Sequence, residues 1–188
     1  MSAFEILWRA AVIVLAVAVF LPIRTGSLGP RAKPATGYEA AMVLAQVLQR
    51  ADSAATPDGK SVVRVHGHRT PRAFVFFHGL TNSPRQFRQL TAAVYDGGDN
   101  VIVPRLPWHA LKGGTASDLG RVRAEQLRDA ADAAANIASG LGDTVIVFGV
   151  SLCRDIASCA PHYRDAEAVG LAPPAPCPSH PLHTHPHP

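Results

Sequence analysis

The chain has 188 residues, 47% of them hydrophobic, which is enough apolar content for one domain with a buried core. Its formal net charge is +4, and the basic side chains at 121–132 lie among acidic ones, a pattern typical of a solvated helix face that argues against a nucleic-acid-binding protein. The three cysteines lack paired CxxC spacing, so they indicate neither a disulfide framework nor a zinc motif.

The first predicted element is a hydrophobic helix at the N-terminus. Residues 10–23 form an unbroken apolar run, and extending it backwards to spanning length takes in Glu5 and Arg9. No small-residue cleavage site follows. We therefore expect residues 1–25 to be an uncleaved membrane anchor or, alternatively, the signal segment of a secreted protein, with the side of the membrane undetermined. Residues 26–35, rich in Gly, Pro and basic side chains, are expected to be a linker.

Strands and helices alternate over the next part of the chain. β-Branched and aromatic runs predict strands, and apolar residues at helical spacing predict helices. The elements expected in chain order are a helix to about residue 51, strands at 61–65 and 72–79, a helix at 84–95, a strand at 100–104, a helix at 118–139, a strand at 145–148, a helix at 156–163 and a strand at 168–172. This alternation implies an α/β protein whose mostly parallel sheet is flanked by helices.

Two of these helices have recognisable start signals. Ser83 is a favourable N-cap, Pro84 suits the first turn, and Gln86 completes the spacing of a capping box. Asp118 is expected to cap the long alanine-rich helix.

Chemically useful residues follow three of the predicted strands. They are the segments 78–81, 105–109 and 149–151. Because the carboxyl ends of parallel strands meet at one edge of a sheet, we expect these segments to converge. The Gly-Val-Ser segment at the end of a buried strand predicts a sharp turn that raises the Ser151 hydroxyl above the sheet, although Cys153 occupies the last glycine position of the G-x-S-x-G pattern.

Two groups of histidines are the candidates for a metal site. His66 and His68 lie at a strand end without a nearby third ligand, so we expect surface histidines there. Residues 173–188 contain Cys177 and four histidines among prolines. Since proline excludes a sheet strand or a long helix, this tail is expected to be disordered and to bind metals unselectively if at all. We therefore predict neither a metal site nor a cofactor.

Three stretches of the chain resemble the α/β-hydrolase family, especially its bacterial esterase, lipase and serine-aminopeptidase-like members. They are FVFFHGLTNSPRQFRQL at 74–90, NVIVPRLPWHA at 100–110 and VIVFGVSL at 145–152, with a weaker match, HYRDAEAVGLAPP, at 162–174. The matches follow the order that the family uses. The resemblance implies an incomplete α/β-hydrolase domain over residues 36–172.

The resemblance also implies acyl transfer to a serine, with a small-molecule ester, amide or lipid-like compound as substrate. Ser151 would attack the carbonyl carbon, and the backbone N–H groups of Leu80 and Leu152 would stabilise the negative oxygen. In the family the catalytic histidine follows the serine, so His78 would brace its loop rather than act as the base. The supporting residues implied in this way are His78, Gly79 and Gly149.

The chain departs from the family at several positions. Cys153 and Arg154 replace a Gly-Gly pair, and Trp108 and Ala110 replace the glycines of a Pro-Gly-His-Gly segment. Asp165, in the turn before the last predicted strand, is the later carboxylate that we consider for the acid, and the Pro- and His-rich tail stands where the acid and base are expected. We therefore predict an impaired serine hydrolase or, alternatively, a non-catalytic remnant or binding protein with half of the fold. A truncated or frameshifted coding sequence would explain the tail, which the adjacent reading frame would test.

Overall fold

The computed structural model describes residues 33–150 and the backbone of residues 166–170. The strands are β1 (Val62–Arg64), β2 (Thr70–Phe77), β3 (Asn100–Val103), β4 (Gly142–Gly149) and β5 (Ala166–Gly170), the α-helices are α1 (Tyr38–Arg50), α2 (Arg88–Asp96) and α3 (Ala124–Leu141), and three 3₁₀ turns cover Pro57–Gly59, Pro84–Phe87 and Ala116–Arg121. The N-terminal apolar run, Ser151, Leu152 and the C-terminal tail lie outside these residues. In the part that is described, no helix is long and apolar enough to cross a bilayer.

The five strands form one sheet in the order β1-β3-β2-β4-β5. Strand β1 pairs antiparallel to β3, and the other neighbours pair in parallel. At the centre, Phe74 of β2 is in register with Val101 on one side and Ile146 on the other. The expected α/β architecture, a mostly parallel sheet flanked by helices, is confirmed.

One face of the sheet is covered by α1 and α3, whose contact depends on small residues. Ala41 and Ala45 of α1 are buried, and they face an alanine-rich surface of α3. A Cβ placed on Gly140 of α3 would lie 2.5 Å from the carbonyl oxygen of Gly37 and 2.7 Å from the Cβ of Ala41. The absence of a side chain at this position therefore allows the two helices to approach closely.

The other face carries an aromatic cluster under the 3₁₀ turn and α2. The ring of Phe76 lies 5.1 Å from that of Phe87 and 5.5 Å from that of Phe148. Val101 and Val103 of β3 complete the buried part of this cluster. Both sheet faces are thus packed, as a parallel sheet requires.

Two helix starts differ from the sequence-based expectation. Ser83 makes no side-chain cap, and the segment begins as a 3₁₀ turn. The Gln86 side chain, expected to close a capping box with Ser83, accepts from the Gly79 N–H instead. The long helix α3 begins at Ala124 rather than at Asp118. Asp118 instead closes a capping box with Thr115 at the start of a separate 3₁₀ turn.

Candidate functional site

The carboxyl ends of β2, β3 and β4 meet at one edge of the sheet. The Val150 N–H donates to the Phe77 carbonyl oxygen at 3.2 Å, which joins the ends of β4 and β2. The Leu106 N–H donates to Nε2 of His78 at 3.2 Å, which joins the ends of β3 and β2. The structure therefore brings segments 78–81 and 105–109 beside Val150, the residue before Ser151.

His78 lies under this edge with both ring nitrogens in use. The ring is fully buried. Because Nε2 accepts from the Leu106 N–H, the ring proton is on Nδ1, which donates to the Gly79 carbonyl oxygen at 3.0 Å. Burial lowers the pKa of His78 to about 4; the Gly79 carbonyl opposes this shift, while His109 and Arg105 add to it. His78 is therefore neutral at pH 7, and its contacts suit the bracing role predicted for it.

His109 is a second buried histidine, to which the sequence-based interpretation gave no role. Its Nε2 lies 2.6 Å from the Leu80 carbonyl oxygen, and its Nδ1 lies 2.8 Å from that of Pro107. Both ring nitrogens therefore lie within hydrogen-bond distance of a backbone carbonyl oxygen. The ring meets His78 edge to face at 5.0 Å. His109 thus ties the β3 loop to the peptide of Leu80. In the sequence, the signal that could have pointed to His109 was its position as the histidine of the segment that matches Pro-Gly-His-Gly.

A buried ion pair supports His109 from the side of the helix layer. The Nε of Arg105 donates to Asp52 at 2.7 Å, and these side chains are only 11% and 3% exposed. Asp52 also accepts from the Ser61 N–H at 2.6 Å. Arg105 in turn donates through Nη1 to the His109 carbonyl oxygen at 3.2 Å. The network connects the end of α1 with the loop after β3.

The loop after β2 holds the predicted oxyanion donor. The Gly79 N–H donates to the Gln86 side chain at 2.9 Å, and the Gly79 carbonyl accepts from the Asn82 N–H at 2.9 Å. Among residues 33–150 and 166–170, no acceptor faces the N–H of Leu80. That amide is therefore available to an oxygen from outside this part of the chain. The donor roles of Leu80 and Leu152 stay predictions.

A cavity of about 290 Å³ lies next to this loop. It is bordered by Thr81 and Asn82 on one side, and the other lining residues are Trp108, His109, Ala110, Leu111, Gly114, Thr115, Ala116 and Leu119. Trp108 and Ala110 have φ angles of 66° and 51°, the left-handed conformation that favours glycine. These are the two positions at which the sequence departs from the glycines of the hydrolase segment.

The Trp108 side chain makes two contacts. The guanidinium of Arg121 lies 4.6 Å from the centre of the indole ring, and the indole N–H donates to the Gln126 side chain at 3.2 Å. The first contact is a cation–π interaction and the second fixes the ring plane. The indole of Trp108 therefore has two side-chain partners where it lines the cavity.

The first histidine pair considered for a metal is engaged elsewhere. His66 stacks on Tyr95 at 4.1 Å, and its Nε2 lies 3.0 Å from the Tyr95 carbonyl oxygen. His68 points its Nδ1 at the His66 carbonyl. Over the described residues, no group of three potential ligands is close enough to hold a metal ion. The candidate ligands in the C-terminal tail lie outside these residues.

Comparisons with known proteins give a distant likeness only. No family model matches the chain, and no curated protein matches it. The chain is similar to a solved structure from a study of LipS and LipT, two metagenome-derived lipolytic enzymes, with 19% sequence identity and a TM-score of 0.41. The match covers 62% of this chain and 46% of that one. The chain thus corresponds to less than half of that lipolytic protein.

Proposed function

We propose that the chain is a serine hydrolase that acts on carboxylic esters or amides, with Ser151 as the nucleophile and the N–H groups of Leu80 and Leu152 as oxyanion donors. The observation that carries this proposal is the Leu80 peptide. Its carbonyl is held by buried His109, while its N–H has no partner in the described part of the chain. It lies at the sheet edge where β4 is followed by Val150, the residue that precedes Ser151 in the sequence.

The chemistry follows from the charge that develops during attack. As Ser151 attacks the carbonyl carbon, the substrate oxygen becomes negative. Preorganised N–H donors stabilise such an oxygen by about 3 kcal/mol each. A rigid loop is needed because the donors must already point at the oxygen, and the contacts of His78, His109 and Gln86 supply that rigidity.

We expect turnover to be slow. A general base must take the serine proton, and we do not expect Asp165 and the histidines of the Pro-rich tail, which follow Ser151, to be held as an acid and a base on rigid loops. Without those partners only the oxyanion donors and substrate binding remain, which corresponds to a loss of several powers of ten in rate. The alternative, a non-catalytic remnant or binding protein, is favoured by this same observation.

We also propose that residues 1–25 attach the domain to a membrane, with secretion as the alternative. The support is the apolar run at 10–23. Fusion of residues 1–35 to a reporter protein tests this: the reporter should remain with membranes in a carbonate wash. Release of the intact fusion into the soluble fraction would refute it.

A fluorophosphonate label tests the hydrolase assignment directly. The expected result is covalent labelling of the folded chain at Ser151 and no labelling of Ser151→Ala, with intact mass spectrometry as the readout. Labelling that persists in Ser151→Ala, or a folded chain that stays unlabelled, would refute the nucleophile and favour the non-catalytic alternative.

A further inference from the structure

We propose that the outward side of helix α1 docks on the surface of the lipid bilayer to which residues 1–25 attach the chain. This rests on the membrane attachment proposed above and is independent of the hydrolase chemistry. Among the described residues, four large apolar side chains are exposed, and three of them belong to α1. They are Val43, Leu44 and Val47, with exposed fractions of 62%, 38% and 57%. We call these three residues the α1 stripe.

The α1 stripe lies on one side of a helix whose other side is already buried. Positions 43, 44 and 47 fall within about 100° of one another around a helix axis. Ala41 and Ala45, on the opposite side, are buried in the core with the alanines of α3. A helix that is apolar on both sides normally has an apolar neighbour on both. The core supplies one of these neighbours, and no side chain in the described part of the chain covers the stripe.

The chain that precedes α1 limits which side of the domain can face the bilayer. Lys33 and Ala35 are held on α3, where their N–H groups donate to Oδ1 and to the carbonyl oxygen of Asn136 at 2.8 and 3.0 Å. The chain between residue 25 and Lys33 reaches at most about 28 Å at roughly 3.5 Å per residue. A domain with a radius of gyration near 13 Å, as expected for about 100 residues, is roughly 35 Å across. This short tether therefore holds the layer of α1 and α3 towards the bilayer, and not the opposite layer that contains α2.

The size and the polarity of the α1 stripe favour a bilayer over a second copy of the chain. Three partly exposed side chains are a small part of the roughly 800 Å² that each partner buries in a stable protein–protein interface. A bilayer contact needs less area, because the membrane anchor makes docking an intramolecular event at high effective concentration. The exposed charged residues of α1 are Glu39 in its first turn and Arg50 in its last, so no charge interrupts the stripe. Arg31 and Lys33, which precede the helix, add attraction to anionic headgroups.

The test places a tryptophan in the α1 stripe and measures whether lipid quenches its fluorescence. Val47→Trp and Leu90→Trp are each made in the full chain with Trp8→Phe, and Trp108 contributes the same background to both. The chains are bound to phosphatidylcholine vesicles with or without bromine near the headgroup end of the acyl chains. Leu90 is the matched control, because it is 42% exposed on α2, at the other face of the sheet. Since the apolar side of an interfacial helix lies about 5–10 Å into the headgroup boundary, we expect bromine to quench Val47→Trp at least about twofold more than Leu90→Trp.

A charge placed in the stripe gives a second measurement. Val43→Glu, added to Val47→Trp, should lower the quenching to the level of Leu90→Trp, because a carboxylate resists transfer out of water. Gln49→Glu is its matched control, since position 49 is also exposed but points about 200° away from Val47 around the helix. It should leave the quenching of Val47→Trp unchanged. Circular dichroism checks that each variant is folded, and equal quenching with Val43→Glu and with Gln49→Glu would overturn the proposal.

Flotation of the same vesicles separates this proposal from the attachment on which it rests. A chain that floats with the vesicles but shows equal quenching in the two tryptophan variants would refute the docking of α1 and retain the anchor. A chain that does not float would refute both. Blue-shifted emission from Val47→Trp without lipid quenching would show that protein covers the stripe, either a second copy, if the shift depends on concentration, or residues 10–23, and would also overturn the proposal. None of these results depends on the labelling of Ser151.

Discussion

The buried, neutral state of His78 makes the stability of the fold depend on pH. In the folded chain its pKa is about 4, against 6.5 for an ordinary histidine. Between these values the unfolded chain binds the proton and the folded chain does not, so acid favours unfolding. The contribution of His78 is fully present above pH 6.5 and is lost as the pH falls towards 4.

The size of this effect follows from the shift. Each pKa unit corresponds to about 1.4 kcal/mol, so the full contribution is about 3 kcal/mol. Between pH 7 and pH 5, where the folded ring is still neutral, about 2 kcal/mol of this should be lost. That interval is the useful one, because most carboxylates are still ionised at pH 5.

Urea unfolding at pH 7 and pH 5 measures the effect. The variant His78→Gln keeps an oxygen that can accept from the Leu106 N–H, but it cannot bind the proton. Its loss of stability between the two pH values should be about 2 kcal/mol smaller than that of the original chain. His68→Gln, at an exposed position, is the matched control and should keep the original pH dependence. An equal loss in His78→Gln and in the original chain would refute the reasoning.

Three further predictions concern the oxyanion loop, the buried ion pair and the helix contact. Leu80→Pro removes the proposed donor and should slow serine labelling about a hundredfold, while Leu80→Ala keeps the N–H and should label normally; equal rates would contradict the donor role. Asp52→Ala leaves the buried Arg105 without its carboxylate partner and should lower the free energy of unfolding in urea by about 3–5 kcal/mol. Asp143→Ala, from an exposed pair, should lower it by under about 1 kcal/mol. Similar losses in the two variants would contradict the burial argument. Gly140→Ala should lower the free energy of thermal unfolding by about 1–3 kcal/mol, because its Cβ would meet helix α1. An added Cβ at Gly120 meets nothing within 4 Å, so Gly120→Ala should leave the stability nearly unchanged. An unchanged stability in Gly140→Ala would contradict the close helix contact.

The strands could be predicted because their signal is local. The uninterrupted runs in β2 and β4 are apolar on both faces, which is what a parallel strand between two helix layers requires. The alternation of these strands with helices was then sufficient to predict a mostly parallel sheet. It also predicted that the strand ends converge at the candidate site. A strand was predicted at 61–65, where β1 lies, but its antiparallel direction carries no local signal.

The supports of the site could not be predicted, because their partners are far apart in sequence. Asp52 and Arg105 are 53 positions apart, and neither has a local pattern that distinguishes it from a surface residue. Gln86 has the spacing of a capping box, but it meets the Gly79 N–H seven residues earlier. Gln86 thus makes a tertiary hydrogen bond, which exists only once the loop is folded, in place of a local helix cap. In the sequence, the only sign of the left-handed backbone at Trp108 was that tryptophan stands where the hydrolase segment has glycine.

Strand β1 limits how this sheet can recruit further strands. It is three residues long, and the chain leaves it through Val65 and His66, whose backbone groups bond to the side chains of Tyr95 and Asn100. An incoming strand could form only a short ladder on that side. In the described sheet the opposite border is β5 (Ala166–Gly170). Efforts to improve solubility or to block self-association should therefore begin with charged or proline substitutions in β5.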